Sequence, residues 1–310
     1  MSTMRGLDEA KKLYIEQGAE LICSRFPEYE SRIAVGLAGR GSQCFGFDDE
    51  LSRDHDFERG FCLFLTDEDD DAIGIKLNRA YHELCGHPEG ARSALGNAGT
   101  GVIRTSDFYR RYTGIPSAPD TWQKWLYLPS SALAEATNGE VFRDDSGEFT
   151  RIREAILHGM PEDVRKKKLA ARAIFMAQSG QYNYSRCLKH GEAGAAMLAL
   201  NEFVKNTAEA VYLLNRAHAP YYKWLLRGMR GLHKLSALAD ALEFLLTADN
   251  SDDGTKLKAA VIEDICAEVV KELKAQDLTC GSWDYLEPHA FDIQSHIENS
   301  EIKSLHIMEG

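Results

Sequence analysis

The chain has 310 residues, which is enough for two ordinary domains, each with its own hydrophobic core. It carries 48 acidic and 36 basic residues, and the resulting net charge of −12 argues against a nucleic-acid partner and favours a cationic or neutral one. No apolar run approaches the ~20 residues that span a bilayer, and the polar first residues predict no signal peptide, so we expect no membrane partner.

The seven cysteines indicate a cytoplasmic protein. They are scattered, odd in number and include no C-x-x-C pair. Neither a disulfide framework nor a zinc site has this pattern, and reduced thiols are typical of the cytoplasm. We therefore expect free cysteines, most of them small core residues.

The first half of the chain mixes helices and strands. Apolar residues at helical spacing predict a helix over residues 8–25. Short apolar runs bounded by polar or turn-forming residues predict strands near Ile33–Ala38, Asp56–Leu65, Gly101–Thr105 and Gly139–Asp144.

From Glu148 onward the pattern is helical. Helices are expected at about 148–158, 162–178, 192–217, 221–246, 255–275 and 284–299. The segment Gln178–Arg186 is expected to be a polar turn between helices, and the basic run Arg165–Lys168 a solvated helix turn. The sequence thus predicts an α+β domain with a small mixed sheet at residues 1–150, followed by an all-α helical bundle at residues 151–310.

The strongest chemical pattern lies between the first two predicted strands. Gly41 and Ser42 follow the first apolar run, and after eleven intervening residues come Asp54 and Asp56. Alternation along a strand puts both aspartates on one face and turns His55 to the other. Two neighbouring carboxylates suit the oxygen-binding Mg²⁺ ion beside a triphosphate. A Gly-Ser turn offers N–H groups and a hydroxyl to a phosphate.

This arrangement resembles the signature of the DNA polymerase β-like nucleotidyltransferase superfamily. In that pattern an apolar residue, Gly, and Gly or Ser are followed, about ten residues later, by Asp-x-Asp entering a strand. The resemblance implies that Gly41 and Ser42 hold the phosphates of a nucleotide. It also implies that Asp54 and Asp56 are catalytic residues and bind Mg²⁺.

Other stretches extend the resemblance over nearly the whole chain. F-G-F-D-D-E-L-S-R-D-H-D, G-E-V-F-R-D-D-S-G-E-F-T-R-I-R, A-Q-S-G-Q-Y-N-Y-S-R-C-L and S-L-H-I-M-E-G resemble a bacterial domain-of-unknown-function family assigned to the nucleotidyltransferase-like fold. The layout is also similar to that of kanamycin- and streptomycin-modifying nucleotidyltransferases, which hold the acceptor between a catalytic domain and a helical bundle. The implied reaction moves a nucleoside monophosphate, expected to be AMP, from ATP or another NTP onto a hydroxyl of a small molecule or a protein.

The sequence departs from the family pattern at one position. Many active members carry a third carboxylate on a later strand, and the corresponding run Gly101–Thr105 has none. Asp107 and Glu140 are the two alternatives. If neither serves, the chain is a catalytically impaired nucleotide-binding regulator, or a toxin–antitoxin component whose acceptor is a partner protein.

A further nucleotide contact is expected in the helical half. The run Tyr221–Trp224 combines aromatic rings for base stacking with the cation of Lys223 for a phosphate, and Arg216 and Arg227 are near in sequence. We therefore predict that Lys223 binds the nucleotide. The alternative is an ordinary helix start whose aromatic side chains pack inside the bundle. This region and the segment Gln178–Arg186 are expected to reach the acceptor.

Overall fold

The computed structural model describes residues 5–49, 60–86 and 99–310. Its architecture is α+β, with a small mixed sheet of four strands and many helices, as the sequence predicts. The strands are β1 (Ala34–Leu37), β2 (Cys62–Leu65), β3 (Gly101–Arg104) and β4 (Glu140–Arg143).

Each strand lies within a run that the sequence predicts to be extended. All residues of β1 and β2 are buried, which explains why both strands read as continuous apolar runs. The predicted run Asp56–Leu65 is described only from residue 60, so its first residues lie outside the described part of the chain.

The sheet has the strand order β3-β2-β1-β4. β1 is antiparallel to β2 and to β4, and β2 is parallel to β3. The register pairs Val35 with Leu63 on one side of β1 and Leu37 with Glu140 on the other. The end of β1 therefore lies beside the start of β4, and the turn that follows β1 leaves the sheet at that point.

The helices before residue 160 come in short pieces, and all of them except the one at Trp122–Tyr127 lie wholly or mostly in the same compact unit as the sheet. A π-helical turn, Tyr14–Gly18, joins the first two, so the predicted helix over residues 8–25 is confirmed. The helices are α1 (Gly6–Leu13), α2 (Ala19–Arg25), α3 (Asp67–Asp69), α4 (Ile75–Cys85), α5 (Thr105–Thr113), α6 (Trp122–Tyr127), α7 (Ser130–Thr137) and α8 (Glu148–His158).

Aromatic side chains attach α5 and α8 to the sheet. Phe64 of β2 stacks on Phe149 of α8, with ring centroids 3.9 Å apart. Phe108 of α5 meets the Phe64 ring edge-on at 5.1 Å. All three rings are at most 1% exposed, so they form the centre of the core on that face.

The helices after residue 160 include the three longest ones of the described chain. They are α9 (Glu162–Met176), α10 (Ser185–Lys189), α11 (Ala193–Leu214), α12 (Tyr222–Met229), α13 (Leu238–Thr247), α14 (Asp252–Ala275), α15 (Leu286–Ser295) and α16 (Ser300–Ser304). The prediction of one helix over 221–246 is wrong, because α12 and α13 are separate. Leu235, between them, has φ of 57°, which a continuing α-helix does not allow.

The segment predicted to be a turn is helical. Residues Ala177–Tyr184 form a π-helix that continues α9 into α10. Gly180 allows this segment to pack closely on α11, since a Cβ at this position would collide with the ring of Phe203. The expectation that Gln178–Arg186 is a turn between helices is therefore wrong.

The chain divides into two compact units. The first comprises Met1–Pro119 and Ala132–Gly159, and the second comprises Asp120–Ser131 and Met160–Gly310. α8 belongs to the first unit because Phe149 packs on the sheet. The functional assignment of residues 1–150 and 151–310 to a catalytic and an acceptor-side domain stays a prediction.

Candidate functional site

Two side chains fix the turn that follows β1. The Gly39 N–H donates to the side-chain oxygen of Asn138 at 2.7 Å, and the Asn138 amide donates to the Gly39 carbonyl at 2.6 Å. The Arg40 N–H donates to the Tyr112 hydroxyl at 3.0 Å. Gly39 has φ of 112°, and a Cβ there would collide with the same hydroxyl. The backbone of residues 39 and 40 is thus held in one conformation before any ligand arrives.

The predicted phosphate-binding residues Gly41 and Ser42 come next. Gly41 has φ of 114°, and a Cβ there would lie 3.9 Å from its nearest neighbour, Gln43, so the backbone conformation and not the available space favours glycine. Ser42 precedes a short 3₁₀ helix, Gln43–Phe45, without capping it. Within the described residues, the N–H groups of Gly41 and Ser42 and the Ser42 hydroxyl have no hydrogen-bond partner.

The predicted metal ligands Asp54 and Asp56 lie outside the described residues. Two carboxylates are a donor set that fits Mg²⁺, which prefers oxygen ligands and keeps several of its waters. In the part of the chain that the structure describes, no group of three or more His, Cys, Asp or Glu side chains is placed to hold a metal ion. The two aspartates therefore remain the predicted metal site.

Both alternatives for the third carboxylate form ion pairs. Asp107 lies in the first turn of α5 and accepts a hydrogen bond of 2.5 Å from Arg110. Glu140 begins β4 and pairs with Lys11 of α1. Each of the two carboxylates is therefore already bound to a cation of the protein itself.

Glu135 is a functional candidate that the sequence reasoning missed. It lies on α7, three residues before Asn138, so the two side chains share one side of that helix end. No described residue forms a hydrogen bond or ion pair with Glu135. Burial raises the pKa of its carboxyl group, and the nearby Arg40 guanidinium lowers it in part. Glu135 is thus a half-buried carboxylate beside the turn that follows β1.

The sequence does contain a signal for Glu135. Between Tyr127 and Glu140 it is the one charged residue, in a helix made otherwise of Ser, Ala, Leu and Thr. A lone carboxylate in an uncharged, half-buried helix has a perturbed pKa more often than one on a solvated face. Only the fold shows that this helix ends beside Gly39.

In the second unit, an aromatic and basic surface lies at the start of α12. Tyr221 and Tyr222 are 50% and 74% exposed, and their ring centroids are 4.2 Å apart. The Lys223 ammonium lies 4.8 Å from the ring centroid of Trp224, and the Arg227 guanidinium lies 5.8 Å from the same ring. We call these five residues the α12 surface. The alternative that both tyrosines pack inside the bundle is wrong.

Positive charge around the α12 surface is confined to a small area. The stretch from Ala210 to Ala239 contains no Asp or Glu. Of its five Arg and Lys residues, three form ion pairs with carboxylates outside the stretch, and these are Arg216, Arg230 and Lys234. Lys223 and Arg227 lie beside the partly buried ring of Trp224, an arrangement that suits one nucleotide better than a long polyanion.

Three of the four residues of the basic run Arg165–Lys168 are buried, so its prediction as a solvated turn is wrong. Lys167 is completely buried, and Arg165 and Lys168 are 4% and 9% exposed. Burial lowers the pKa of Lys167 to about 8 and that of Lys168 to about 8. α9 packs against α6, α11 and α15, and these helices cover the buried members of its basic run.

Long-range acceptors stabilise these buried cations. The Lys167 ammonium donates to the side chain of Gln294 at 2.9 Å and to the carbonyls of His306 and Ile307 at 2.6 and 3.2 Å. Arg165 donates to the Leu213 carbonyl at 3.3 Å. The run therefore connects α9 to the last residues of the chain and does not form a phosphate site.

Comparison with known proteins gives one family match. The family is described as a domain of unknown function, DUF4037, and its model matches residues 125–225. That range contains Glu135, Asn138 and four of the five residues of the α12 surface, without Arg227, and it does not reach Gly41 and Ser42. No curated protein matches the chain significantly.

One solved structure is also similar. It is the crystal structure of a nucleotidyltransferase-like protein from Exiguobacterium sibiricum 255-15, with 12% sequence identity and a TM-score of 0.36. The alignment covers 87% of this chain and 82% of that chain. This is a distant likeness, and the fold rests on the elements described above. Among the described helices, none is both long and apolar enough to cross a membrane.

Proposed function

We propose that this protein is a Mg²⁺-dependent nucleotidyltransferase of the polymerase β-like superfamily. It would move a nucleoside monophosphate, AMP in the leading case, from a triphosphate onto a hydroxyl of a small molecule or a protein. The observation that carries the proposal is the turn after β1. Two side chains hold its backbone, it leaves the N–H groups of Gly41 and Ser42 without partners among the described residues, and Asp-x-Asp follows at the spacing of the superfamily.

The turn is suited to bind phosphate oxygens. Successive free N–H groups form an anion-binding concavity, and the Ser42 hydroxyl adds another donor. Asn138 and Tyr112 hold the preceding residues before the ligand binds, which lowers the entropy that binding must remove. Gly41 and Ser42 would orient the triphosphate and would not take part in the bond changes of the reaction.

Asp54 and Asp56 would hold Mg²⁺ next to the phosphates. When bound, Mg²⁺ would supply positive charge to offset the charge that develops as pyrophosphate leaves. Two carboxylates are fewer ligands than Mg²⁺ takes, so phosphate oxygens and water would supply the others.

Glu135 would accept the proton of the acceptor hydroxyl. That proton moves to a carboxylate oxygen of Glu135 as the acceptor oxygen bonds to the α-phosphorus, and the bond from this phosphorus to the leaving pyrophosphate breaks. A pKa raised by burial brings a carboxylate closer to the operating pH, which favours its action as a general base.

The α12 surface would bind the nucleoside part of the substrate. Its exposed tyrosines offer ring faces for stacking, and the Lys223 ammonium offers a positive charge for a phosphate. The net charge of −12 favours a cationic or neutral acceptor, and the acceptor-side role of residues 151–310 belongs to the same proposal.

One observation favours a second function. Asp107 and Glu140 are both ion-paired, as expected of a chain that lacks a third catalytic carboxylate. If Glu135 does not replace them, the protein is a nucleotide-binding regulator. It would then bind Mg²⁺-ATP without transferring AMP.

Calorimetric titration of the whole chain with ATP, with and without Mg²⁺, tests the proposal. We expect Mg²⁺-dependent binding that is lost in Asp54→Asn and in Asp56→Asn. Asp264→Asn is the matched control, because Asp264 is an exposed residue of α14. Equal affinity in the parent and in both aspartate variants would contradict the assignment of these residues.

A further inference from the structure

A groove lies along β4, at one edge of the sheet. It is lined by residues 139–144 and by Thr150, Arg153 and Glu154 of α8, and its volume is about 450 Å³. Sites of this volume accommodate small organic molecules. None of its lining residues belongs to the turn after β1 or to the α12 surface, and none takes part in the proposed transfer.

Two charged side chains of the groove already form hydrogen bonds within the protein. Asp144 accepts hydrogen bonds from the N–H groups of Gly147 and Thr150 at 2.9 and 2.8 Å, so its carboxylate holds the start of α8. Arg143 donates to Glu30 at 2.8 Å. These two side chains form part of the wall and are poor candidates for direct ligand contacts.

Arg153 is different, because its guanidinium makes only long contacts. Its side chain is 18% exposed. One terminal nitrogen donates to the Gly139 carbonyl at 3.3 Å, and the other lies 3.6 Å from the carboxylate of Glu154. Its Nε is buried, and the described residues provide no acceptor for it. A partly buried guanidinium with so few close acceptors is one that an oxyanion would stabilise.

The neighbours of Arg153 restrict the kind of oxyanion. The lining contains two arginines and three carboxylates, so it repels a dianionic phosphate more than a singly charged carboxylate. The Thr150 hydroxyl has no hydrogen-bond partner in the described ranges. The carboxylate of Glu154 is 47% exposed and can accept from a ligand. A carboxylate that also carries a hydroxyl or ammonium group matches these three side chains.

We propose that this groove binds a small amino or hydroxy carboxylic acid. Arg153 holds the carboxylate through paired N–H donors, and Thr150 and Glu154 contact the hydroxyl or ammonium group. The proposal is independent of nucleotidyl transfer, because none of the three side chains has a role in that reaction.

Calorimetric titration of the whole chain tests the groove, using L-serine, L-aspartate, L-lactate and inorganic phosphate separately at one ionic strength. We expect saturable binding of at least one of the three carboxylic acids, and weaker or no binding of phosphate. Arg153→Gln should reduce that affinity about tenfold or more through loss of charged hydrogen bonds. Arg151→Gln should leave it unchanged, because Arg151 is an exposed arginine of the same helix.

Three results would each overturn the proposal: no saturable binding of any of the three acids, unchanged affinity in Arg153→Gln, or tighter binding of phosphate than of every acid. If circular dichroism shows that Arg153→Gln is unfolded, Thr150→Val decides. That variant removes only a hydroxyl, and it should weaken binding several-fold. Affinity equal to that of the parent would then reject the site.

Discussion

Asn138 and Gly39, 99 residues apart in the chain, exchange two hydrogen bonds of 2.7 and 2.6 Å through one side-chain amide. The Asn138 amide accepts from the N–H of Gly39 and donates to its carbonyl, and Gly39 has φ of 112°. The residue after α7 thereby sets the path of the chain as it leaves β1. Gly41 and Ser42, whose N–H groups have no partner among the described residues, come two and three residues later in the chain.

Replacing Asn138 should loosen the turn. Asn138→Ala removes both hydrogen bonds, and we expect a loss of roughly 1–3 kcal/mol in the free energy of unfolding. The affinity for Mg²⁺-ATP should fall as well, because the phosphate-binding backbone is no longer held. Chemical unfolding and calorimetry measure the two effects. Asn201→Ala, on the exposed side of α11, is the control that should change neither by a comparable amount.

Gly41 should be needed for its backbone conformation. Gly41→Val and Gly41→Ala should both lower ATP affinity and cost roughly 1–3 kcal/mol in stability, because φ is 114°. Gly114 is the matched control, with φ of 75° and open space around it. Gly114→Ala should also lower stability but leave ATP affinity unchanged. If Gly41→Val binds ATP as tightly as the parent does, the phosphates bind elsewhere.

Ser42→Ala should weaken ATP binding by only ~1 kcal/mol, because it removes one hydroxyl contact.

Glu135 should make stability depend on pH in a defined direction. Burial raises the pKa of Glu135 in the folded protein, so the folded state binds this proton more tightly than the unfolded chain does. Its contribution to stability is complete below the ordinary pKa of glutamate and is lost as pH rises through the folded-state pKa. Glu135→Gln cannot ionise, so its melting temperature relative to that of the parent should be higher at pH 8 than at pH 4.

The same variant separates a catalytic role from a structural one. If Glu135 is the general base, Glu135→Gln should keep ATP affinity and lose most of the transfer rate, with the acidic limb of the pH profile removed. Unchanged kcat and an unchanged pH profile in Glu135→Gln would contradict the general-base role.

Lys167 should stabilise the second unit. Lys167→Met keeps an unbranched apolar side chain but removes the ammonium group, which leaves the Gln294 side chain and two carbonyls without their donor. We expect a loss of roughly 2–4 kcal/mol in urea unfolding. Lys189→Met, at an exposed position of α10, should stay within about 0.5 kcal/mol of the parent. Comparable losses in the two variants would mean that the buried hydrogen bonds are not the cause.

The α12 surface should contribute to nucleotide affinity without affecting the fold. Lys223→Ala removes the cation beside Trp224, and Tyr222→Ala removes a ring that is 74% exposed. Each should weaken ATP binding about three- to tenfold while leaving the melting temperature nearly unchanged. Lys256→Ala, at the exposed start of α14, should bind ATP as the parent does. ATP affinity equal to the parent's in both variants would remove Lys223 from the nucleotide site.

Local patterns were sufficient to predict much of the fold. β1 and β2 are buried on both faces, so they appear in the sequence as unbroken apolar runs, and α8, α11 and α14 show helical spacing with clear end signals. Predictions that required distant partners were wrong. The burial of the run Arg165–Lys168 depends on hydrogen-bond acceptors at residues 213, 294 and 306. A local stretch of sequence around the run contains none of them.

The candidate site shows the same limit. The Gly-Ser turn could be located from sequence, because glycine and a nearby Asp-x-Asp form a local pattern. Asn138 and Glu135 could not be assigned to it, since only the pairing of β1 with β4 brings the end of α7 to Gly39.

The split between α12 and α13 could not be predicted either. An apolar periodicity persists through residues 230–237, although the backbone leaves the helix there.

The central claim is that this chain transfers a nucleoside monophosphate. Purified protein is incubated with Mg²⁺ and cell extract, with ATP labelled on the α-phosphate in one reaction and on the γ-phosphate in another. We predict that, relative to extract alone, the protein attaches the α-label but not the γ-label to an acceptor, and that Asp54→Asn and Asp56→Asn abolish this added attachment. Protein-dependent attachment of the γ-label, or added α-label attachment that persists in both aspartate variants, would contradict this account.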